Sequence, residues 1–510
     1  MRTAIIGGGI AGLAAAYELE KARAAGVQVE YTLFEARERL GGSLSSEIVN
    51  GAVLERGPDS FLSEKPAAAE LCRELGLGAE LTPSNDAARK TWIVVHNRLV
   101  PLPDGLMFLV PTKLIPTALS RLFSLPTKLR MALELLHPPR PSGLPDESVA
   151  TLVERHFGRE VVDRLADPLL SGIFGGDAAQ LSARAVLPRL VEMESQYGSL
   201  TRGMLAAHRQ MRARAKAAVQ KNGPAQTGFR PANGKCSAPA APRSIFTTLR
   251  GGMQQLVDAL AARINPSSLR LATPVSGLEK VEGGWIVTAG VPASAAADSS
   301  EDWKANGAAE FYDAVILASP AWAAGSLLTP VDPALGAELS AIPYSSSITV
   351  NLVYDEARLG RLPDGFGFLV PAVEDRVLLA CTFVHRKFLG RTPPGKAVLR
   401  AFLGGMKNEA LLSETDAALV AAVRREFGEI LGGVVSGIGI EPEHAQVSRW
   451  PRAMAQYAVG HQERIARIAA RVAALPGLKL AGNAYDGIGI PDCIRLGRQA
   501  AKDLLEQYRG

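Results

Sequence analysis

The amino-acid sequence predicts an α/β protein: a Rossmann-type domain joined to a mixed α+β domain, with a helical domain inserted between them. Three observations carry this. A glycine-rich turn separates a short apolar strand from a helix within residues 1–60. A long stretch of helical periodicity with proline breaks occupies 91–210. Strand-like segments then crowd residues 345–405, before the chain ends on a strand, a glycine turn and a helix.

The elements follow in order. Thr3-Ala4-Ile5-Ile6 is an apolar strand, and Leu13, Ala14, Ala15, Ala16, Tyr17 and Leu19 make a helix of good helix formers. Val29 to Phe34 is mostly apolar, as a strand buried in a parallel sheet is. From Leu106 to Phe123, apolar residues interleave with Lys113 and Arg121, and Lys128 and Arg130 follow. This basic, apolar pattern suits either buried helices or docking at a membrane surface. Arg212 to Arg243 carries seven cations and no acidic residue in a low-complexity run, and reads as a mobile insertion. Pro292 to Glu301 resembles a hairpin tip. Asp313 to Ala318, Ile348 to Tyr354, Val377 to Phe383, Ala397 to Leu403 and Leu478 to Ala481 read as strands, and Ile494 to Tyr508 as the last helix. The expected domains are therefore a cofactor domain from 1–90, 246–300 and 441–510, a helical domain over 91–210, a basic insertion at 211–245, and a substrate domain over 301–440.

Composition sets limits. At 510 residues the chain holds roughly two to four domains of about 150 residues each. Its 47% hydrophobic and 21% charged residues suit a large buried core. A net charge of +5 is small for this length, so nucleic acid is not expected, whereas an anionic ligand or membrane surface is compatible. Cys72, Cys236, Cys381 and Cys493 are scattered singly, which argues against a zinc site or disulfide framework and fits a reducing cytoplasm. No signal sequence and no run of about 18 apolar residues is expected to direct the chain through a membrane.

Gly7-Gly8-Gly9-Ile10-Ala11-Gly12 matches GxGxxG between strand and helix. The first glycine makes the turn, the second admits a pyrophosphate, the third allows helix–strand packing, and the helix start favours negative charge. Glu35 and Ala36 close the second strand, where a carboxylate accepts hydrogen bonds from ribose hydroxyls and disfavours a 2′-phosphate. Arg39-Leu40-Gly41-Gly42-Ser43 then forms a second glycine turn that a lone NAD site does not need. A third tight segment, Gly57-Pro58-Asp59-Ser60, and the C-terminal run Gly482 to Asp492 complete a domain made from both chain ends. That arrangement predicts FAD.

Together these segments resemble the amine-oxidase-like FAD superfamily. Within it, Arg56-Gly57-Pro58-Asp59-Ser60-Phe61-Leu62, Asp167 to Asp177 (DPLLSGIFGGD) and Gly487 to Ile494 (GIGIPDCI) resemble the protoporphyrinogen oxidase family, over nearly the whole chain. The resemblance implies FAD contacts at Gly7 to Gly12, Glu35, Ser43, Gly57 to Ser60, Val275, Trp450, Ile488, Gly489 and Ile490. It places Gly172 beside the substrate macrocycle, and Leu369 and Phe402 against its rings. Plant and animal members carry an arginine for a substrate carboxylate where this chain has Thr91; Arg89 and Lys90 next to it are candidates for that task. The implied activity is six-electron oxidation of protoporphyrinogen IX to protoporphyrin IX in haem biosynthesis, with oxygen as acceptor. Some bacterial members oxidise coproporphyrinogen III instead, and a carotenoid desaturase or amine oxidase is a more distant alternative. The resemblance further implies hand-over of the product to a ferrochelatase and a cytoplasmic location, peripheral on the inner membrane face. No catalytic acid–base pair and no metal site is evident, and His385, His444 and His461 read as structural.

Overall fold

The computed structural model describes residues 1–107, 109–111, 114–139, 141, 143–221, 244–290 and 308–508. The strands of its two main sheets, numbered in chain order, are β1 (Arg2–Ile6), β2 (Glu30–Phe34), β3 (Thr91–Val95), β4 (Arg98–Pro101), β5 (Leu269–Arg270), β6 (Ala314–Leu317), β7 (Tyr344–Asp355), β8 (Gly367–Leu369), β9 (Leu378–Phe383), β10 (Lys396–Gly404), β11 (His444–Ala455) and β12 (Leu478–Leu480). Four helices bear on the site: α1 (Ile10–Ala24), α2 (Asp167–Phe174), α3 (Asp416–Leu431) and α4 (Ile490–Gln507).

The first sheet is parallel, in the order β5-β2-β1-β6-β12. Its central strands are mostly apolar because both faces are covered, one by helices that include α1 and α4 and the other by a small antiparallel sheet bearing Trp285 and Tyr312 together with further helices. The first half of α1, Ala11 to Leu19, is buried. Its alanines let α4 press so close that a Cβ on Gly497 would fall 2.0 Å from the Ala11 carbonyl oxygen.

The second sheet has the order β11-β7-β10-β9-β8-β3-β4 and is antiparallel except between β3 and β8. Alternation divides its residues between two faces. Ile348, Val350 and Leu352 of β7 join Leu399, Ala401 and Leu403 of β10 in a core closed by Leu419, Val423 and Phe427 of α3. The opposite face carries Thr349, Asn351, Arg400 and Phe402 and turns towards the cofactor domain.

Several elements depart from the sequence expectation. Residues 91–101 are a β-hairpin, not the start of a helical domain: Trp92 to Val95 are aromatic and β-branched, and His96 and Asn97 turn the chain with φ of 49° and 61°. The strand expected near 313–318 belongs to the parallel sheet as β6, although it lies inside the 301–440 range. Conversely, β11 extends the antiparallel sheet from within 441–510. The helix Leu200–Lys221 takes in Arg212 to Lys221, which favour helix, so that part of the expected loop is helical. The rest of that insertion, from 222 to 243, and the Pro292 to Glu301 tip lie outside the described residues. The last helix begins at Ile490, four residues early, with Pro491 in its first turn.

The inserted helices form their own core around Leu152, Phe157, Leu165 and Leu200. Inside it His156 is held at 3.0 Å by Glu134 through Nδ1 and at 3.0 Å by Glu194 through Nε2. Glu134 also accepts from Ser199 Oγ and the Leu200 backbone, and Arg155 donates to Glu194. Burial opposes charge on the ring, but the two carboxylates outweigh it and raise the His156 pKa above its ordinary 6.5. Burial also works to raise the two carboxyl pKa values, but His156 and their other donors hold both below the ordinary 4.5. An imidazolium stabilised this way contributes fully below pH 6.5 and loses its contribution as pH rises through its raised pKa. The carboxylates contribute fully above pH 4.5 and lose theirs on acidification. The cluster is therefore most stabilising between those values. His156→Gln is expected to lower stability by about 3–5 kcal/mol there, the cost of leaving buried carboxylates uncompensated. Melting across pH 5 to 9 checks this: the gap between variant and wild type narrows in the alkaline arm.

Candidate functional site

The turn from β1 into α1 is built for a bound anion. Gly7 stands at φ 113°, and a Cβ there would come within 2.8 Å of the Ala318 carbonyl oxygen. A Cβ on Gly12 would collide with the Gly7 oxygen at 1.9 Å. Helix α1 starts at Gly9 with no side-chain cap and no acidic residue in its first turn, leaving its amides and positive end unsatisfied. Gly9 bridges to Gly41 of the second glycine turn, and a Cβ on Gly9 would meet only Gly42, 4.0 Å away. The buried Ser319 Oγ beside the Gly7 turn lacks a partner among the described residues. Glu35 accepts from the Gly8 amide at 2.7 Å and from the Arg37 amide, beyond Ala36, at 2.9 Å. This fixes its carboxylate at the end of β2. These features fit an FAD with its pyrophosphate over α1 and its adenosine ribose towards Glu35.

The remaining residues expected to contact the cofactor lie in the following segments. Arg39 donates to the carbonyls of Leu40, Leu44 and Gly42, so it rigidifies the turn that ends in Ser43. Val275 follows the stretch in which Ala272 and Thr273 donate backbone hydrogen bonds to Arg37 and Glu35. Ile488 leads into α4, which Gly489 opens. The Asp492 carboxylate accepts from the Gly489 amide at 3.2 Å and from Lys65 at 2.7 Å.

The segment Glu55 to Ser60 is clasped by the antiparallel sheet. Asn351 donates to the Glu55 carbonyl at 2.9 Å, Thr349 and Trp450 both donate to the Arg56 carbonyl, at 2.8 and 2.7 Å, and Arg400 donates to the Gly57 carbonyl. A Cβ on Gly57 would strike the Ser43 oxygen at 1.8 Å and approach Trp450 Cζ2 at 3.6 Å. Arg39 lies 5.9 Å over the same indole. Beneath the segment, Arg391 pairs with Glu55, and Lys387 and Arg400 with Asp59, at 3.0 and 3.8 Å. Arg391, Arg400 and Glu55 are 1%, 2% and 3% exposed. Burial alone raises the Asp59 pKa, but Lys387 and Arg400 outweigh it and hold the carboxyl well below the usual range. Ser60 Oγ adds a hydrogen bond to Asp59 at 2.6 Å.

Beyond this clasp the wall is apolar. Leu369, Ala380 and Phe402 are register partners across β8, β9 and β10. Gly172, exposed on α2, faces them: a Cβ there would lie 3.2 Å from Leu369 Cδ2. The end of α2 is tied to the sheet by Ser345 and Gln456, which both donate to the Phe174 carbonyl. Gly172, Leu369 and Phe402 are thus brought to one side of the sheet. Arg89 and Lys90 are not: Lys90 Nζ lies 4.2 Å over Trp92, whose register partner Phe368 points into the α3-covered core, and Arg89 is exposed in the loop before β3.

Sequence reasoning missed Thr349, Asn351, Lys387, Arg391 and Arg400. Arg400 left a trace, a lone charge inside the apolar run Ala397 to Leu403. His385 Nδ1 accepts from the Val398 amide, and His461 stacks on Tyr457 with burial lowering its pKa to about 4.

The model of the flavin-containing amine oxidoreductase family matches residues 10–505. The chain is 32% identical to a coproporphyrinogen III oxidase of Bacillus subtilis (strain 168), over 98% of this chain and 97% of that one. It is 28% identical to the chloroplastic protoporphyrinogen oxidase of Nicotiana tabacum, over 98% and 84%. A solved structure from Exiguobacterium sp. 255-15, assigned as a protoporphyrinogen oxidase, superposes with a TM-score of 0.79 at 30% identity, covering 99% of both chains.

Arg400→Met keeps the length of the side chain but strips Gly57 and Asp59 of a buried donor. A loss of about 3–5 kcal/mol in stability is expected, together with faster release of bound FAD. Both are read directly, by melting and by the rise of free-flavin fluorescence after dilution. Retention of FAD at the wild-type rate would contradict the role given to the clasp.

Proposed function

The chain belongs to the flavin-containing amine oxidoreductase family, and on that premise we propose that its substrate is coproporphyrinogen III, oxidised to coproporphyrin III with oxygen as acceptor. It is an FAD-dependent porphyrinogen oxidase. The observation that carries the substrate reading is the apolar wall of Leu369, Ala380 and Phe402 beside the exposed Gly172, where any side chain would crowd Leu369; a flat tetrapyrrole requires such a wall. Protoporphyrinogen IX shares the ring and the chemistry. The likeness to the Bacillus coproporphyrinogen III oxidase, 32% identical against 28% for the plant protoporphyrinogen oxidase, supports setting coproporphyrinogen III first.

The oxidation removes six hydrogens from the ring, which oxygen accepts as three molecules of peroxide. FAD, when bound, supplies the two-electron acceptor for each round. The residues of this chain bind and orient. Glu35 and the α1 amides take the nucleotide end, and the clasped Gly57 to Ser60 segment and the Ile488-Gly489-Ile490 turn take the ring end. Leu369 and Phe402 exclude water from one face of the substrate, and Gly172 leaves room for it. Wild-type protein given each porphyrinogen in air, with porphyrin fluorescence as readout, should oxidise coproporphyrinogen III faster. Gly172→Val should retain FAD and lose turnover by about tenfold or more, since added methyls enter the space beside Leu369.

The reading extends to a peripheral membrane location on the inner face, with hand-over of the product to an iron-inserting ferrochelatase. Among the described residues no helix is long and apolar enough to cross a membrane. The helices Leu114–Leu119 and Leu125–Leu133 and the turn after them nevertheless expose Ile115, Leu119, Leu125, Leu129, Leu133 and Leu136, each by 54–79%. Arg121 and Lys128 lie among them. Leu129→Glu with Leu133→Glu should abolish co-sedimentation with vesicles containing anionic lipid while leaving turnover of soluble substrate intact. Equal sedimentation of variant and wild type would refute the membrane contact.

A further inference from the structure

The edge strand β11 breaks its register beside the site. Trp450 pairs with Ser347 and Met454 with Ser345, so one residue of β7, Ser346, faces three of β11, Pro451 to Ala453. Proline is tolerated at such an edge because no ladder hydrogen bond is lost. A bulge re-aims the side chain at its crest, and here the crest is Arg452, an exposed arginine held at φ 46°. A left-handed backbone is strained for a side chain of this kind and persists only when its surroundings impose it.

The surroundings do impose it. Ser346 Oγ accepts from the Arg452 amide at 3.0 Å, Trp322 Nε1 donates to the Arg452 carbonyl at 3.4 Å, and Asn483 donates to the Ala453 carbonyl at 2.9 Å. The guanidinium rests 4.6 Å over the Trp322 ring. No carboxylate pairs with it among the described residues. The other cations around the site are engaged: Lys387 and Arg400 by Asp59, Arg391 by Glu55, and Lys407 by Asp167 and Asp177 at 3.6 and 3.7 Å.

Its place is bracketed by site contacts. On one side Trp450 abuts Gly57; on the other, Met454 Sδ lies 3.6 Å from where a Cβ on Gly175 would be, at the end of the helix bearing Gly172. A nucleotide phosphate is already provided for by the uncapped amides at the start of α1, which leaves Arg452 for another anion. A porphyrinogen carries propionate carboxylates at its rim, and Arg89 and Lys90 do not face the wall that would hold the ring.

We propose that Arg452 is the receptor for a propionate carboxylate of the substrate, presented by the β11 bulge on the Trp322 platform. This rests on the porphyrinogen reading above and names the group that would orient the ring edge. A guanidinium recognises a carboxylate through two parallel hydrogen bonds, which fixes orientation as well as affinity.

Arg452→Gly is the informative variant, because glycine adopts the same backbone without strain and removes only the side chain. Expected are an unchanged melting temperature and FAD content, a KM for coproporphyrinogen III raised about tenfold or more, and kcat within about twofold. Arg452→Lys should recover part of the loss. Coproporphyrin III, a stable probe, should bind correspondingly more weakly by fluorescence titration. A KM and probe affinity within about twofold of wild type, or loss of FAD in place of substrate affinity, would overturn the assignment. Wild-type protein that turns over neither porphyrinogen and binds no coproporphyrin III would instead remove the porphyrinogen reading itself, and Arg452's role with it.

Discussion

Everything at the site depends on the attachment of one cofactor-binding segment, Glu55 to Ser60, to one face of one sheet. Three successive carbonyls of that segment, at Glu55, Arg56 and Gly57, are answered by side chains from β7, β10 and β11. Each such bond contributes only about 0.5–1.5 kcal/mol net, yet a buried carbonyl left without a donor costs more than that. The sheet face must therefore keep Asn351, Thr349, Trp450 and Arg400 as donors. Alternation ties this to the hydrophobic core. The neighbours that point the other way, Val350, Leu352, Leu399 and Ala401, are those packed under α3. A one-residue slip of β7 or β10 would exchange core and clasp together, so the packing that stabilises the sheet also aims the donors.

The buried charges under the segment follow from the same constraint. Glu55 cannot lose its partner cheaply, because its carboxylate also accepts from the Met253 amide and from Ser46. Arg391 answers it and reaches on to Thr248 at 3.0 Å. Asp59 is answered twice, so two carboxylates face three cations in a region removed from water. Such groups add little stability over well-packed apolar residues, but deleting one member strands the others. What they supply is a fixed geometry: Arg400 holds Gly57 and Asp59 while lying 4.9 Å over the ring of Phe402. One side chain thus links the cofactor segment to the wall proposed for the substrate.

Much of this was legible in the sequence where backbone geometry leaves only one residue type. Glycines 7, 12 and 57 stand where a Cβ would overlap a carbonyl oxygen or nearly so, and they were found by pattern alone. The apolar strands and alanine-rich α1 were equally readable. The clasp was not, since a threonine or asparagine in a strand looks like any solvent-facing residue until its partner, some 300 positions away, is known. Residues 91–101 were misread because apolar periodicity in a short run does not separate strand from helix. The domain boundaries blurred for a topological reason: β6 and β11 each lie in sequence beside one sheet and pair in the other. Lys90 was drawn to the site by adjacency to Thr91, but it precedes the strand and its Nζ rests over Trp92 instead.

Register explains why a flat, amphipathic ligand suits this face. Ser448, Thr349, Phe402, Ala380, Leu369 and Ile93 are successive partners across six strands. The row begins polar at the edge strand, where the cofactor segment is clasped. It becomes apolar in the middle and ends under the inserted helices, where Ile93 is fully buried in their core. A tetrapyrrole lying along it would set its ring against Phe402 and Leu369 and leave its carboxylated rim towards β11. The helical insertion then has a structural task distinct from any membrane contact. By carrying Gly172 over the apolar half of the row, it closes the side that the sheet leaves open. The close approach of Gly172 to Leu369 requires that insertion and sheet be held rigidly together, which Ser345 and Gln456 achieve by donating to the last turn of α2.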